Sequence, residues 1–376
     1  MSKLIRAGAL SLVLSATAAG VAIAAPEPTT VQLRLPDPTG PHPVGRSTLH
    51  LVDHSRVDPW APGPRELMIS LYYPARPGPG APARYAATDE ARLLLQAQGL
   101  DGAVPAETFS ATRTNARMNA RPEPGRHPLL LLSPGMGAPR YTLTTLAEDL
   151  ASRGYAVAAI DHAHESVGTL FPGNRMLTCL ACTADLRQVT IGRGADASFA
   201  IDQLTRRYPY LIDKHRIGMA GHSLGGAGAI SAMTRDPRVL AGLNLDGAFH
   251  DIPTSLNGRP FLMLGTDDDV HRPGGRDTTW DATWPHLDGY RRWLTVAGAD
   301  HLSFTDLPPL AAQLGLPGPP LPADRAVAIT RDYVSAFFDL HLRGLPQPIL
   351  EAPTPANPEV VFNRVENAAS ASTSLR

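Results

Sequence analysis

One eleven-residue stretch, Arg216-Ile217-Gly218-Met219-Ala220-Gly221-His222-Ser223-Leu224-Gly225-Gly226, restricts what this chain can fold into more than any other. A short apolar run enters Gly-x-Ser-x-Gly and leaves into Ala227-Gly228-Ala229-Ile230, which has helical character. A strand that turns into a helix this sharply forces Ser223 into a strained backbone conformation. Gly221 and Gly225 then stand where any side chain would clash. The Ser223 hydroxyl is expected to project from the carboxyl end of a strand, with the amide dipoles of the helix aimed at whatever it attacks.

The surrounding chain supplies a sheet for such a turn. Apolar runs at 129–133, 155–160, 217–220, 240–245, 261–264 and 293–296 predict strands, and helical spacing covers 142–153, 195–208, 224–235 and 324–343. Alternation of this kind marks a mostly parallel sheet with helices on both faces, and Leu129-Leu130-Leu131-Leu132 reads as a strand buried on both sides. Further strands are expected at 31–35 and 67–73. Residues 26–376 read as one domain, with 26–66 and 352–376 partly irregular.

A serine nucleophile needs a base, an acid and donors for the developing oxyanion. In a fold of this kind the chain order is Ser, acid, His. Among the histidines after Ser223, His301 directly follows the strand at 293–296, in a loop able to swing over the nucleophile. His341 falls in the last helix, while His271 and His286 fall in a Pro- and Trp-rich loop and read as surface or substrate-rim residues. For the acid, Asp246 and Asp269 both follow core strands. Asp246 is favoured because it leaves its strand directly, whereas Asp267-Asp268-Asp269 reads as a solvated turn and spaces its carboxylates poorly for calcium. The Leu224 amide is one oxyanion donor. The Met136 amide is the other, carried by the glycine-flanked loop Ser133-Pro134-Gly135-Met136-Gly137. Nothing in the pattern calls for a metal or a cofactor.

Lys3 and Arg6 precede the uncharged stretch 7–25, which ends in Ala22-Ile23-Ala24-Ala25 before Pro26. That is the layout of a secretory signal peptide over residues 1–25, cleaved after Ala24 or Ala25, and it implies a secreted or periplasmic protein without stable membrane insertion after cleavage. In an oxidising compartment Cys179 and Cys182 are expected to pair as a local disulfide. Lys plus Arg total 34 against 35 for Asp plus Glu, without long blocks of one sign, so no electrostatic footprint for nucleic acid exists.

These residues resemble the platelet-activating factor acetylhydrolases of plasma type and their bacterial lipase-like relatives, within the α/β-hydrolase superfamily. The resemblance runs from about Leu129 to Leu310. It rests on Ser133-Pro134-Gly135-Met136-Gly137, Leu150-Ala151-Ser152-Arg153-Gly154-Tyr155, Gly221-His222-Ser223-Leu224-Gly225-Gly226, Leu245-Asp246-Gly247 and His301-Leu302-Ser303-Phe304-Thr305-Asp306. It implies an α/β-hydrolase fold and places the acid on the earlier strand, at Asp246. It also implies Ser223 as nucleophile, His301 as base and the Met136 and Leu224 amides as oxyanion hole. Pro134 stands where relatives often carry His, and the insertions at 166–190 and 267–289 are this chain's own. The expected function is a serine carboxylic-ester hydrolase acting on short-acyl or lipid esters. The alternatives are a cutinase- or polyester-hydrolase-like enzyme using Asp269, an acyltransferase, and a non-catalytic binding protein of the same fold.

Overall fold

A computed structural model describes residues 31–367; the leader at 1–25 lies outside the described residues. In chain order the strands are β1 (Val44–Val57), β2 (Pro64–Pro74), β3 (Pro82–Arg84), β4 (Arg113–Met118), β5 (His127–Ser133), β6 (Ala156–His162), β7 (Thr169–Phe171), β8 (Arg175–Leu177), β9 (Ile212–His222), β10 (Val239–Leu245), β11 (Phe261–Thr266), β12 (Arg291–Val296) and β13 (Val360–Glu366). The helices are α1 (Thr88–Ala97), α2 (Ala106–Ser110), α3 (Thr144–Ser152), α4 (Leu186–Arg207), α5 (Leu224–Arg235), α6 (Thr278–Thr283), α7 (Leu307–Gln313) and α8 (Ala323–Arg343).

Eleven of these strands form one sheet in the order β13-β12-β11-β10-β9-β5-β6-β2-β1-β4-β3, and β7 and β8 form a separate hairpin. The six strands from β12 to β6 are parallel, while β13 and β2 join antiparallel at either side. This is the α/β-hydrolase architecture. The sheet is buried on both faces because successive residues of each strand point to opposite sides. Leu130 and Leu132 meet Leu146 and Leu150 of α3 and Phe337 of α8, whereas Leu129 and Leu131 meet Ile201 of α4 and Ile230 of α5.

Strand order positions the site. From β5 the chain steps outward through β6, and from β9 it steps the other way through β10, β11 and β12. The order therefore reverses between β5 and β9, and loops leaving the carboxyl ends of those neighbours diverge and open a crevice. The Pro134–Gly137 loop follows β5, and Ser223 follows β9.

Two expectations need correcting. Residues 31–35 are not a strand; Arg34 makes an isolated bridge with Arg113, because this segment runs past the sheet's edge with Pro36 and Pro38 after it. The helix expected from Ala195 begins at Leu186, where the Asp185 carboxylate accepts the Arg187 N–H at 2.7 Å and caps it.

Candidate active site

Ser223 sits between β9 and α5 with φ 53° and ψ −125°, a conformation costly for any residue with a β-carbon. Its N–H donates to the Leu245 carbonyl at 2.7 Å, which locks the turn to the neighbouring strand. A β-carbon at Gly221 would lie 2.1 Å from the Gly225 carbonyl carbon, and one at Gly225 would lie 1.9 Å from the Ser133 carbonyl oxygen. Both positions require glycine, as the sequence pattern predicts.

Asp246 and His301 come together. Asp246 follows β10 in the left-handed region, φ 57°, and is 2% exposed. Its Oδ2 lies 2.6 Å from His301 Nδ1, and its Oδ1 accepts the Thr266 N–H at 2.7 Å. The same Oδ1 pairs with His271 Nδ1 at 2.9 Å. Burial works to raise the Asp246 carboxyl, but the bonds from His271 and His301 outweigh it and hold the group well below the usual carboxylate range. Asp269 stands elsewhere. Its side chain is 73% exposed and pairs with Arg276 at 2.8 Å, while Asp267 pairs with Arg272.

The position of His271 overturns its reading as a surface or rim residue. It is 6% exposed, tilts against the Trp280 ring at 4.7 Å, and lies between Asp246 and Asp277. Burial opposes its charge, yet the two carboxylates raise it to about 9. The Asp267-Asp268-Asp269 turn stays at the surface, while His271 alone of residues 267–277 is buried, its carbonyl accepting the Trp293 Nε1–H at 2.8 Å where Trp280 and Trp293 pack edge to face.

His222 was also not legible from chain order. It is buried, and its Nε2–H donates to the His301 carbonyl at 2.7 Å, so it fixes the backbone of His301. Burial and the neighbouring His301 push its pKa down to about 4, which keeps the ring neutral.

Ser223 and His301 line one small cavity of about 140 Å³ together with Gly135, Met136 and Val167. Directly after Ser223 the Leu224 amide occupies the first turn of α5, where no preceding turn can accept its hydrogen bond. The loop bearing Met136 is held from behind. Gly137 donates to the Glu165 carbonyl at 2.9 Å and accepts from Val167 N–H at 2.9 Å. The Arg193 guanidinium of α4 donates to the Pro134 carbonyl, to Ser133 Oγ at 3.2 Å and to the Glu165 carboxylate at 2.8 Å.

Behind that loop lies a second chain of Ser, His and Asp. Ser133 Oγ is 3.0 Å from His162 Nε2, and His162 Nδ1 is 2.7 Å from Asp196. None of the three is more than 3% exposed, so no ester reaches Ser133. Arg65 of β2 joins Asp196, Glu165 and Asp58 at 2.6 to 3.0 Å, which closes the network on the sheet. The Cys179–Cys182 disulfide is formed, and Cys182 Sγ would lie 3.9 Å from a β-carbon at Gly137, beside the same loop.

A larger concavity of about 790 Å³, along Ser47, Tyr73, Pro124 and Tyr210, shares no residue with the Ser223 cavity. Among the described residues no helix is long and apolar enough to cross a membrane.

The profile of the family described as "Platelet-activating factor acetylhydrolase, isoform II" matches residues 29–172. The chain is 29% identical over 370 residues to a "Probable 1-alkyl-2-acetylglycerophosphocholine esterase" of Arthroderma benhamiae, covering 87% of this chain and 93% of that one. It is 28% identical over 151 residues to a "Bis(hydroxyethyl) terephthalate hydrolase" of Streptomyces coelicolor, covering 38% of this chain and 40% of that one. Among solved structures, a ferulic acid esterase from Streptomyces cinnamoneus superposes with a TM-score of 0.79 at 42% identity, covering 89% of this chain and all of that one.

Proposed function

The chain belongs to the α/β-hydrolase family of the platelet-activating factor acetylhydrolases and their bacterial lipase-like relatives and is a carboxylic-ester hydrolase, and on that premise we propose that it works through a Ser223–His301–Asp246 triad after export from the cytoplasm. The observation that carries this reading is the 2.6 Å bond between His301 Nδ1 and an ionised, buried Asp246, on the loop that shares a cavity with the strained Ser223.

His301 takes the Ser223 proton as Oγ attacks the ester carbonyl, while Asp246 stabilises the imidazolium and fixes its tautomer. The Leu224 and Met136 amides receive the oxyanion. Collapse of the tetrahedral intermediate passes the proton from His301 to the leaving alcohol and forms an acyl-Ser223 ester. Water activated by His301 then frees the acid. The leader pattern at 1–25 and the formed Cys179–Cys182 disulfide support export.

Names carried by the relatives point to short-acyl, hydroxycinnamoyl and terephthaloyl esters, and these form the substrate panel. Incubation with a fluorophosphonate should label Ser223 covalently, and Ser223→Ala should lose both label and turnover. Asp246→Asn should lower kcat by about 10³- to 10⁴-fold through the wrong imidazole tautomer, with Asp269→Asn near wild type. The reverse ranking of the two aspartates would overturn the assignment of the acid.

A further inference from the structure

A second, apolar concavity of about 230 Å³ adjoins the Ser223 cavity. The two share Leu94 and Gln98 of the α1 segment and Leu302 and Leu307 beside His301, so only these side chains stand between them. Its far wall is made by Val104 and Phe109 on one side and by Ala311 and Leu314 on the other. Asp300 is the one charged residue among its lining, and its carboxylate is already engaged by the Leu302 N–H and the Ser303 hydroxyl.

Which half of an ester lies here follows from the chemistry of the base. His301 returns its proton to the leaving oxygen, so that oxygen must face the imidazole and its substituent must run away from Ser223 past the His301 loop. Asp300 and Leu302, the neighbours of His301, form the near wall of this groove. Met136, Gly137 and Val167 line the Ser223 cavity and do not line the groove, which puts the acyl group on their side.

We infer that the groove between α1 and α7 is the subsite for the alcohol half of the ester, and that it selects uncharged, apolar alcohols. The inference rests on the Ser223–His301 reading above. An alcohol carrying a phosphate would find no cation in this lining, whereas an alkyl chain or an aryl ring would be buried against leucine, valine and phenylalanine.

Two substrate series test it, acetates of ethanol, butanol, hexanol and octanol, and ethyl esters of acids from acetate to octanoate, all kept below aggregation. In the wild type kcat/KM should rise about two- to fourfold per methylene added to the alcohol, as burial of apolar surface dictates. Ala311→Phe, at a half-exposed position of the groove wall, should flatten the slope of the alcohol series, while the slope along the acyl series stays that of the wild type. Leu314→Ser should reduce the same slope from the opposite direction, which guards against a folding defect in the first variant. A gain that follows the acyl chain, or an alcohol series untouched by both variants, would overturn the inference. Absence of fluorophosphonate labelling at Ser223 in the same wild-type preparation would instead sink the triad reading.

Discussion

His271 and His301 share one carboxylate, so in the proposed triad Asp246 orients the base with one oxygen and carries a second, buried histidine on the other. The two rings differ in surroundings. His271 lies between Asp246 and Asp277 under Trp280, and its pKa is raised to about 9 although burial alone would lower it. The sign of the linkage follows. A histidine raised above its unfolded value near 6.5 contributes stability that is complete below that pH and is lost as pH climbs toward 9. The contribution is on the order of 2 kcal/mol once partial screening is allowed for. Wild-type thermal stability should therefore fall between pH 6.5 and 9 more steeply than that of His271→Gln, which keeps a donor but cannot be charged. Parallel slopes for the two proteins across that window, by calorimetry, would remove the charged state of His271 from the account.

At the scale of elements, the proposed oxyanion loop between β5 and α3 is held by α4 from behind and by the His301 segment from above. Asp306 accepts the Thr144 and Thr145 amides at 3.1 and 3.0 Å, capping α3 from the segment that carries the base. The His-x-x-Phe-x-Asp run therefore ties the base to the helix that follows the oxyanion loop, with Phe304 in the core between them. Arg193 performs the equivalent task from α4, and its fork is the direct link from a buried carboxylate to the Pro134 carbonyl. Lysine keeps the charge and loses the fork. Arg193→Lys should lower kcat by about 10- to 100-fold while KM moves less than about threefold, because the Met136 amide matters when the oxyanion forms and not when the ester binds. Equal changes in kcat and KM, or none, with near-ultraviolet circular dichroism unchanged, would confine Arg193 to a packing role. The buried network around Arg193 was not legible beforehand, since Arg65, His162, Glu165, Arg193 and Asp196 come from three separate segments and carry no local motif.

Across the whole molecule, what could be read from sequence was the interior. Strands β5, β6, β9, β10, β11 and β12 are buried on both faces, so their composition alone marks them. The Ser223 turn was legible because steric exclusion at Gly221 and Gly225 leaves a local trace. The margins were not. Strand β1, fourteen residues long inside a stretch read as partly irregular, alternates buried and exposed positions and carries His50 and His54. Strand β13 ends the sheet opposite, with exposed Val361 and Val365. Strands covered on one face only need polar residues on the other, which erases the continuous apolar signal both in β13 at the edge and in β1, which β4 flanks over only two residue pairs. Yet β13 closes a chemically costly edge. Arg292 of β12 has no exposed surface, and its guanidinium donates to the Glu366 carbonyl and the Asn367 side chain at 2.9 Å, as well as to Leu350 and Glu351 at 2.8 Å. Ending the chain at Asn357 would remove the first two partners and uncover the hydrogen-bonding groups of β12. The shortened protein should melt roughly 5–10 °C lower, from a buried cation deprived of two of its partners and a lost strand pair. It should also self-associate through the open edge, which size-exclusion chromatography would report as larger species. A monomer with an unchanged melting temperature would mean that α8 and the Leu350 carbonyl suffice to hold Arg292, and that β13 covers the edge without stabilising it.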